Sequence, residues 1–131
     1  MKSFISYTFE ELSNLLLVKL YKKHIIESGS YWDRKVEIDV LAFSEEGDVI
    51  AGECKWKNHK INKNELTKLQ DKCRKIDLKA DVFVLFSKRG FSKELLKMAN
   101  EKLLLYTPED FEILVKDVNK SELLDTQFNI S

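Results

Sequence analysis

The stretch VEIDVLAFSEEGDVIAGECKW, residues 36–56, constrains the fold more than any other part of the chain. Two runs rich in β-branched and aromatic residues flank a short polar segment with a glycine, which predicts two antiparallel strands joined by a tight turn. A three-residue loop at 45–47 would give Gly47 the left-handed conformation that such loops favour. Ser44 then faces Asp48, and this choice sets the pairing register of the whole hairpin.

That register brings charged side chains to one side of the hairpin. Asp39 lies opposite Glu53 and Glu37 lies opposite Lys55, whereas alternation turns Cys54 toward the other face and the core, together with Ile50 and Trp56. Two facing carboxylates repel each other, and a divalent cation such as Mg²⁺, which prefers oxygen ligands, would compensate them. The simpler interpretation is a Glu37–Lys55 ion pair with both acids at a solvated sheet edge. The pattern alone leaves both interpretations open.

Periodicity in the rest of the chain predicts a mixed sheet between helical layers, that is, an α/β fold. A capping box at Thr8 and apolar residues at helical spacing indicate a first helix. The predicted elements are, in order, a helix from Thr8 to about Ile26, strands 36–43 and 49–56, a helix 62–78, a strand 80–86, a helix from Ser92 to about Lys102, a strand 103–106 and a helix opening at 107–110.

Length and composition narrow the class of protein. The 131 residues suit one domain, 1–131, within which residues 116–131 are left open as a loosely ordered tail. Cys54 and Cys73 are a poor disulfide framework, and the N-terminus lacks the arrangement of a secretory signal. No stretch approaches the roughly 20 apolar residues that span a bilayer. We therefore predict a soluble, cytoplasmic protein with no membrane partner.

Charge is balanced overall, with 22 basic and 22 acidic residues, but it is distributed unevenly. Residues 55–79 contain nine Lys or Arg and three acids, whereas residues 109–131 contain six acids and two lysines. The basic part begins at the proposed metal site, where the phosphates of a bound strand would lie. The candidate nucleic-acid contacts are Lys57, Lys60, Lys63 and Arg34. A solvated helix face is the alternative interpretation of these lysines.

Several of these segments carry a family resemblance. Asp39, followed after a turn by Glu53-Cys54-Lys55, resembles the Asp…Glu-x-Lys signature of the restriction-endonuclease-like nuclease superfamily. The segments YTFEEL, YWDRKVEIDVLAF, GECKWK and FVLFSKRGFSKEL resemble the nuclease-like domain at the C-terminus of certain archaeal and bacterial AAA-type ATPases. The resemblance implies a three-layer fold in which helices flank a central mixed β-sheet, with an αβββαβ core.

The resemblance also implies a function: metal-dependent hydrolysis of DNA phosphodiester bonds. Asp39 and Glu53, aided by the backbone carbonyl of Cys54, would hold Mg²⁺ or Mn²⁺. Lys55 would position or activate water. A glutamate of the first helix would be a further acid at the metal; Glu10 is favoured over the alternative, Glu11, because Glu11 also serves the capping box.

Partners follow from the same resemblance. The chain contains no P-loop, so an AAA-type ATPase would be a separate domain or subunit. The alternative function is a DNA-binding or regulatory module of such an ATPase with little or no cleavage. A homodimer is left open.

Overall fold

Five strands form one mixed sheet in a computed structural model that describes residues 8–107, 109, 110 and 112. The elements are α1 (Phe9–Leu20), β1 (Ile25–Trp32), β2 (Glu37–Ser44), β3 (Val49–Lys55), α2 (Lys63–Lys75), β4 (Val82–Ser87), α3 (Lys93–Met98) and β5 (Leu103–Tyr106). The strand order is β1-β2-β3-β4-β5; the first two pairings are antiparallel and the last two parallel. The predicted α/β fold, in which helices flank a central mixed sheet with an αβββαβ core, is confirmed.

Helices cover both faces of the sheet, because successive strand residues point to opposite sides and both sets are apolar. One core cluster joins α1 to the sheet and includes Leu16, Leu17, Ile50 and Phe86. The second joins α2 and α3 to the opposite face and includes Leu69, Leu95, Ala51 and Leu85. In β3, the odd-numbered residues therefore face α2, and this alternation decides which helix can reach the charged end of the strand.

The central hairpin has the expected register. Its paired residues include Val40 with Gly52 and Phe43 with Val49. Gly47 adopts a φ of +94°, the left-handed region that a glycine enters without steric cost.

Helix α1 is shorter than predicted. It begins as expected, with the Thr8 hydroxyl accepting a hydrogen bond from the Glu11 N–H at 3.1 Å, but it ends at Leu20 rather than near Ile26. The following residues form the edge strand β1, which the sequence analysis missed. Tyr21 and Ile25 are both buried at helical spacing, yet Tyr21 is extended (ψ 140°), and its hydroxyl donates to the Asp48 carboxylate at 2.9 Å. A tertiary contact thus replaces the next helical turn.

The other helix ends also differ from the predicted boundaries. Ser92 caps α3 as predicted, but the helix ends at Met98 rather than near Lys102, because the Asn100 side chain accepts hydrogen bonds from two backbone N–H groups in a turn. Residues 109, 110 and 112 are helical after Thr107, as predicted. The predicted tail, 116–131, lies outside the described residues. Among the described residues, none of the helices is both long enough and apolar enough to cross a membrane.

Gly52 allows β3 to pack closely against its neighbours. A Cβ atom at this position would lie 2.5 Å from Val84 Cγ1 and 3.0 Å from the Val84 carbonyl oxygen. We expect Gly52→Ala to lower the free energy of unfolding by about 1–3 kcal/mol, because the buried strands must move apart. Urea denaturation measures this loss. Gly29→Ala in β1 is the matched control, since no atom lies within 4 Å of its added Cβ. Equal losses in both variants would contradict the expectation.

Candidate active site at the end of strand β3

A β-bulge in β2 positions Asp39. Gly29 of β1 pairs with Leu41 of β2, and Tyr31 of β1 pairs with Ile38 of β2. Between these two pairs β2 has two residues, Asp39 and Val40, whereas β1 has only Ser30. Ile38 and Val40 therefore contact opposite core clusters although they are two residues apart. Bulges re-aim side chains in this way and are common next to active sites. The two-residue alternation used in the sequence analysis contains no sign of this bulge.

The Asp39 carboxylate lies at the point where β3 loses its antiparallel partner. The β2–β3 ladder extends to the Val40–Gly52 pair, and beyond it Asp39 Oδ2 accepts a hydrogen bond from the Cys54 N–H at 2.9 Å. Strand β3 keeps its parallel pairing with β4 for three further residues. A side-chain oxygen thus satisfies a backbone donor that the ladder no longer pairs.

Glu53 is the most unusual acid in the site. It is only 3% exposed, its carboxyl is hydrogen-bonded to that of Asp39, and Lys72 Nζ lies 2.5 Å from Glu53 Oε1. Burial and the contact with Asp39 raise the pKa of Glu53 to about 7, although Lys72 opposes the shift. The interpretation of both acids as residues of a solvated sheet edge is therefore wrong for Glu53.

Lys55 pairs with a residue of α2 rather than with Glu37 or Glu53. Its Nζ lies 3.4 Å from Oε2 of the mostly buried Glu65. Burial opposes the ionisation of Glu65, but Lys55 and Lys68 hold the pKa of this carboxyl below its usual range. The Lys55 side chain is therefore paired with Glu65 at the end of β3, two residues after Glu53 and on the same face of the strand.

Sequence reasoning missed Lys72, although a signal was present. Glu65, Leu69 and Lys72 recur at intervals of four and three residues, so they lie on one stripe of α2. Leu69 is fully buried in the core, and charged residues on a stripe shared with a core leucine must face the sheet at its margins. A carboxylate on the facing strand is their natural partner.

Glu10 approaches Asp39 from the first turn of α1. Partial burial and the negative charge of Asp39 raise the pKa of Glu10, whereas a hydrogen bond from the Ser30 side chain lowers it. Asn14, one turn later, donates its amide to the Glu10 carbonyl at 3.0 Å and to the Asp39 carbonyl at 3.5 Å, and accepts a hydrogen bond from the Ser28 hydroxyl at 2.6 Å. Asn14, also missed by the sequence analysis, ties α1 to both strands. The resulting groove between α1 and β1 has a volume of about 350 Å³.

The acids of this site fit a hard divalent cation. Within the described ranges, no group of three or more His, Cys, Asp and Glu side chains is arranged as a metal cluster. Mg²⁺, however, is commonly held by one or two carboxylates together with water and substrate phosphate. Asp39 and Glu53 supply two such carboxylates, and Glu10 is a third acid whose pKa is raised by its burial and by the charge of Asp39. A cation here would remove the repulsion that raises these pKa values.

Cys54 contributes to the site through its backbone. Its N–H donates to Asp39, and its carbonyl stays a predicted metal ligand. The thiol points toward the α1 core cluster, and burial raises its pKa to about 12. Such a thiol is not a nucleophile at neutral pH.

The predicted nucleic-acid contacts lie in loops at the same edge of the sheet as Asp39 and Glu53. Arg34 lies in the β1–β2 turn, and Lys57 and Lys60 lie in the loop after β3; all three are exposed. The two loops are neighbours because the end of β3 lies beside the start of β2. Lys63 is less available, since its Nζ lies 2.9 Å from Oε1 of Glu94.

The family match covers the first helix and the whole central hairpin. The model of DUF234, described as archaea bacterial proteins of unknown function, matches residues 1–69, just over half of the chain. The chain belongs to this family. The DUF234 match thus includes Glu10, Asp39, Glu53 and Lys55, but it ends before Lys72. No curated protein matches the chain.

Solved structures share the fold at low sequence identity. A crystal structure of AF1548, a protein of unknown function, has a TM-score of 0.50 and 19% identity, over 76% of this chain and 58% of that one. A repair endonuclease from Pyrococcus abyssi has a TM-score of 0.48 and 13% identity, over 82% of this chain and 49% of that one. EndoMS in a complex with dsDNA has a TM-score of 0.41 and 10% identity, over 82% of this chain and 48% of that one. This DUF234 chain spans only about half the length of these structures, and the likeness concerns the fold alone.

The raised pKa of Glu53 predicts how stability depends on pH in the metal-free protein. A group with a folded pKa of about 7 and an ordinary value of 4.5 stabilises the fold below pH 4.5, and this contribution is lost as pH rises through 7. Glu53→Gln keeps an uncharged hydrogen-bonding group. We expect the free energy of unfolding of this variant to exceed that of wild type by about 1–3 kcal/mol at pH 8 and to differ little from it at pH 4.

Denaturation in EDTA at the two pH values measures this difference. Glu94→Gln, on the exposed surface, is the control for loss of one carboxylate. The raised pKa of Glu53 would be contradicted if the advantage of Glu53→Gln over wild type in the free energy of unfolding became smaller as pH rises.

Proposed function

We propose that this chain is a nuclease domain that hydrolyses DNA phosphodiester bonds with the help of Mg²⁺ or Mn²⁺. The single observation that supports the proposal is the contact between the buried Glu53 carboxyl and that of Asp39, at a sheet edge surrounded by basic loops. Burying Glu53 against a second, half-buried acid is costly, and a site that uses both acids to hold a cation accounts for the cost. The fold is compatible with this chemistry but does not by itself imply it.

Each residue of the site has a role in this proposal. Asp39, oriented by the Cys54 N–H, and Glu53 hold the ion, with Glu10 as a further acid from α1. When bound, the ion polarises the phosphate and lowers the pKa of its water. Lys55, on the same face of β3 as Glu53, stabilises negative charge that develops on the phosphate and orients the attacking water.

Lys72 has a supporting role that the resemblance does not include. Its contact with Glu53 favours the ionised carboxylate, because the opposite charge opposes the effect of burial. Lys72 thus holds Glu53 ready for a metal and fixes its direction.

The same ion pair favours a second candidate function. Lys72 neutralises Glu53 without any metal, as expected for a domain that retains the fold as a DNA-binding or regulatory module. In either case we propose residues 1–131 as one domain, cytoplasmic, that works beside an AAA-type ATPase domain or subunit. Self-association as a homodimer stays a prediction.

Cleavage assays separate the two functions. We expect plasmid, linear or branched DNA to be cut in Mg²⁺ or Mn²⁺, and Asp39→Ala, Glu53→Ala and Lys55→Ala each to reduce the rate about 100-fold or more, since each removes a charge that acts on the transition state. Lys72→Ala should lose less, because Lys72 acts through Glu53. Controls are Lys22→Ala and Glu101→Ala, an exposed ion pair outside the site. DNA binding by all variants without cleavage by wild type would favour the module.

Metal binding can be tested without a substrate. Mn²⁺ at 100 times its dissociation constant should stabilise the fold by about 2.7 kcal/mol, which corresponds to a shift of several degrees in Tm. We expect this shift in wild type and the Glu101→Ala control, and its loss in Asp39→Asn and Glu53→Gln. Thermal denaturation at pH 8 provides the measurement. If Mn²⁺ raised the Tm of all four proteins equally, the ion would bind at a site other than Asp39 and Glu53.

A further inference from the structure

Trp56 lies at the rim of the candidate site with most of its ring in solvent. It directly follows Lys55, and it is 58% exposed. Its ring contacts that of Phe9, with centroids 4.7 Å apart and planes at 56°, and Lys88 Nζ lies 5.0 Å from the indole centroid. Trp56 lies on the same side of the sheet as Ile50, as predicted, because Phe9 packs against the cluster that contains Ile50. It is not a buried core residue, however, since β3 ends at Lys55.

The surroundings hold the indole in place. Lys88 donates its backbone N–H to the Lys55 carbonyl at 3.1 Å and its ammonium group to Asn58 Oδ1 at 3.2 Å. The cation near the ring is therefore fixed by two contacts besides its interaction with the ring. An exposed tryptophan that is supported by a second aromatic ring and an anchored cation is preorganised to receive a flat ligand.

Two loops around Trp56 form a surface that we call the basic rim, residues 55–63 and 88–93. The loops are joined by hydrogen bonds from the Ile61 N–H to the Gly90 carbonyl at 3.1 Å and from the Ser92 N–H to the Ile61 carbonyl at 2.9 Å. The basic rim contains no Asp or Glu and has seven cationic residues: Lys55, Lys57, Lys60, Lys63, Lys88, Arg89 and Lys93. Two of them are paired with acids of the adjoining helices, Lys55 with Glu65 and Lys63 with Glu94, so the cations available to a ligand are the other five. Such a surface attracts phosphates. Its second loop was not identified in the sequence analysis.

The combination of a supported aromatic ring and a rim of cations matches the chemistry of single-stranded nucleic acid. Every unpaired base has a flat face that stacks on an aromatic side chain, while the backbone phosphates lie along the cations. In a duplex the bases are stacked on each other and present only their edges in the grooves. The centre of a protein–protein interface is instead depleted in lysine, unlike this surface.

We propose that Trp56 is a stacking site for an unpaired nucleotide base, and that the substrate of this domain has a single-stranded segment beside the bond to be cut. Since Trp56 follows Lys55 in the chain, a base on its ring brings the adjacent phosphates toward Asp39 and Glu53. The proposal specifies the substrate class of the nuclease site and in that sense rests on the proposed function. Binding to Trp56 itself requires neither metal nor cleavage.

Fluorescence provides the first test, because the chain has only two tryptophans. In the variant Trp32→Phe, all tryptophan fluorescence comes from Trp56. In the matched variant Trp56→Phe, it comes from Trp32. In EDTA, a single-stranded oligothymidylate should quench Trp56 strongly and Trp32 weakly. A single strand of abasic sugar-phosphate units is the probe for charge alone and should leave the fluorescence of Trp56 nearly unchanged.

Affinity provides the second test. Trp56→Ala should weaken binding of the oligothymidylate at least about 5-fold, the effect of losing one stacked base, and change binding of the abasic strand and of duplex DNA by less than about 2-fold. Trp56→Phe should retain most of the single-strand affinity because a ring remains. The side chain is mainly exposed, so urea denaturation of each variant should match wild type.

Three results would overturn the proposal: equal loss of affinity for all three ligands, no loss for any, or fluorescence of Trp56 that no oligonucleotide changes. The last result would leave the ring as a contact for protein. Because these measurements exclude metal, they are independent of the nuclease proposal. A chain that stacks single strands on Trp56 but cuts nothing would refute only the nuclease, and an active nuclease indifferent to Trp56 would refute only the stacking site.

Discussion

The hydrogen bond from the Cys54 N–H to the Asp39 carboxylate is the contact on which the rest of the site depends. It occupies the position where β2 and β3 cease to pair, and it satisfies a backbone donor that would otherwise be lost from the ladder. It also turns the Asp39 carboxyl toward β3. Glu53, the preceding residue of β3, is then brought against a negative charge, and this proximity creates the acidic pocket.

Burial of Glu53 beside Asp39 brings two acids together, and their charge can be offset in more than one way. A protonated Glu53, an ion pair with Lys72 and a bound divalent metal are three ways to offset the same charge, and they exclude one another in part. The Lys72 side chain is 32% exposed, so its ammonium group reaches Glu53 from the margin of the core. Among the buried residues that the structure describes, Glu53 is the only charged one, and the other buried polar residues are the serines Ser13, Ser44 and Ser87.

The topology explains why distant segments meet around this pocket. Strands β3 and β4 are parallel, so both their carboxyl ends and the loops that follow lie at one edge of the sheet. The antiparallel neighbour β2 starts at that edge and brings the β1–β2 turn with it. An overall neutral chain thereby has Arg34, Lys57 and Lys60 at the same end of the sheet as the buried Glu53 and the half-buried Asp39.

Sequence by itself determined the central hairpin, its register, the two helix caps at Thr8 and Ser92 and the candidate pair of acids, because each depends on residues a few positions apart. Only the tertiary structure decided the remainder. The end of α1 depends on Tyr21 reaching Asp48, the bulge at Asp39 depends on the pairing of β1, and the partners of Glu53 and Lys55 lie on α2. These contacts join segments far apart in the chain, and their free energies arise from burial and charge in the folded protein, which local patterns do not contain.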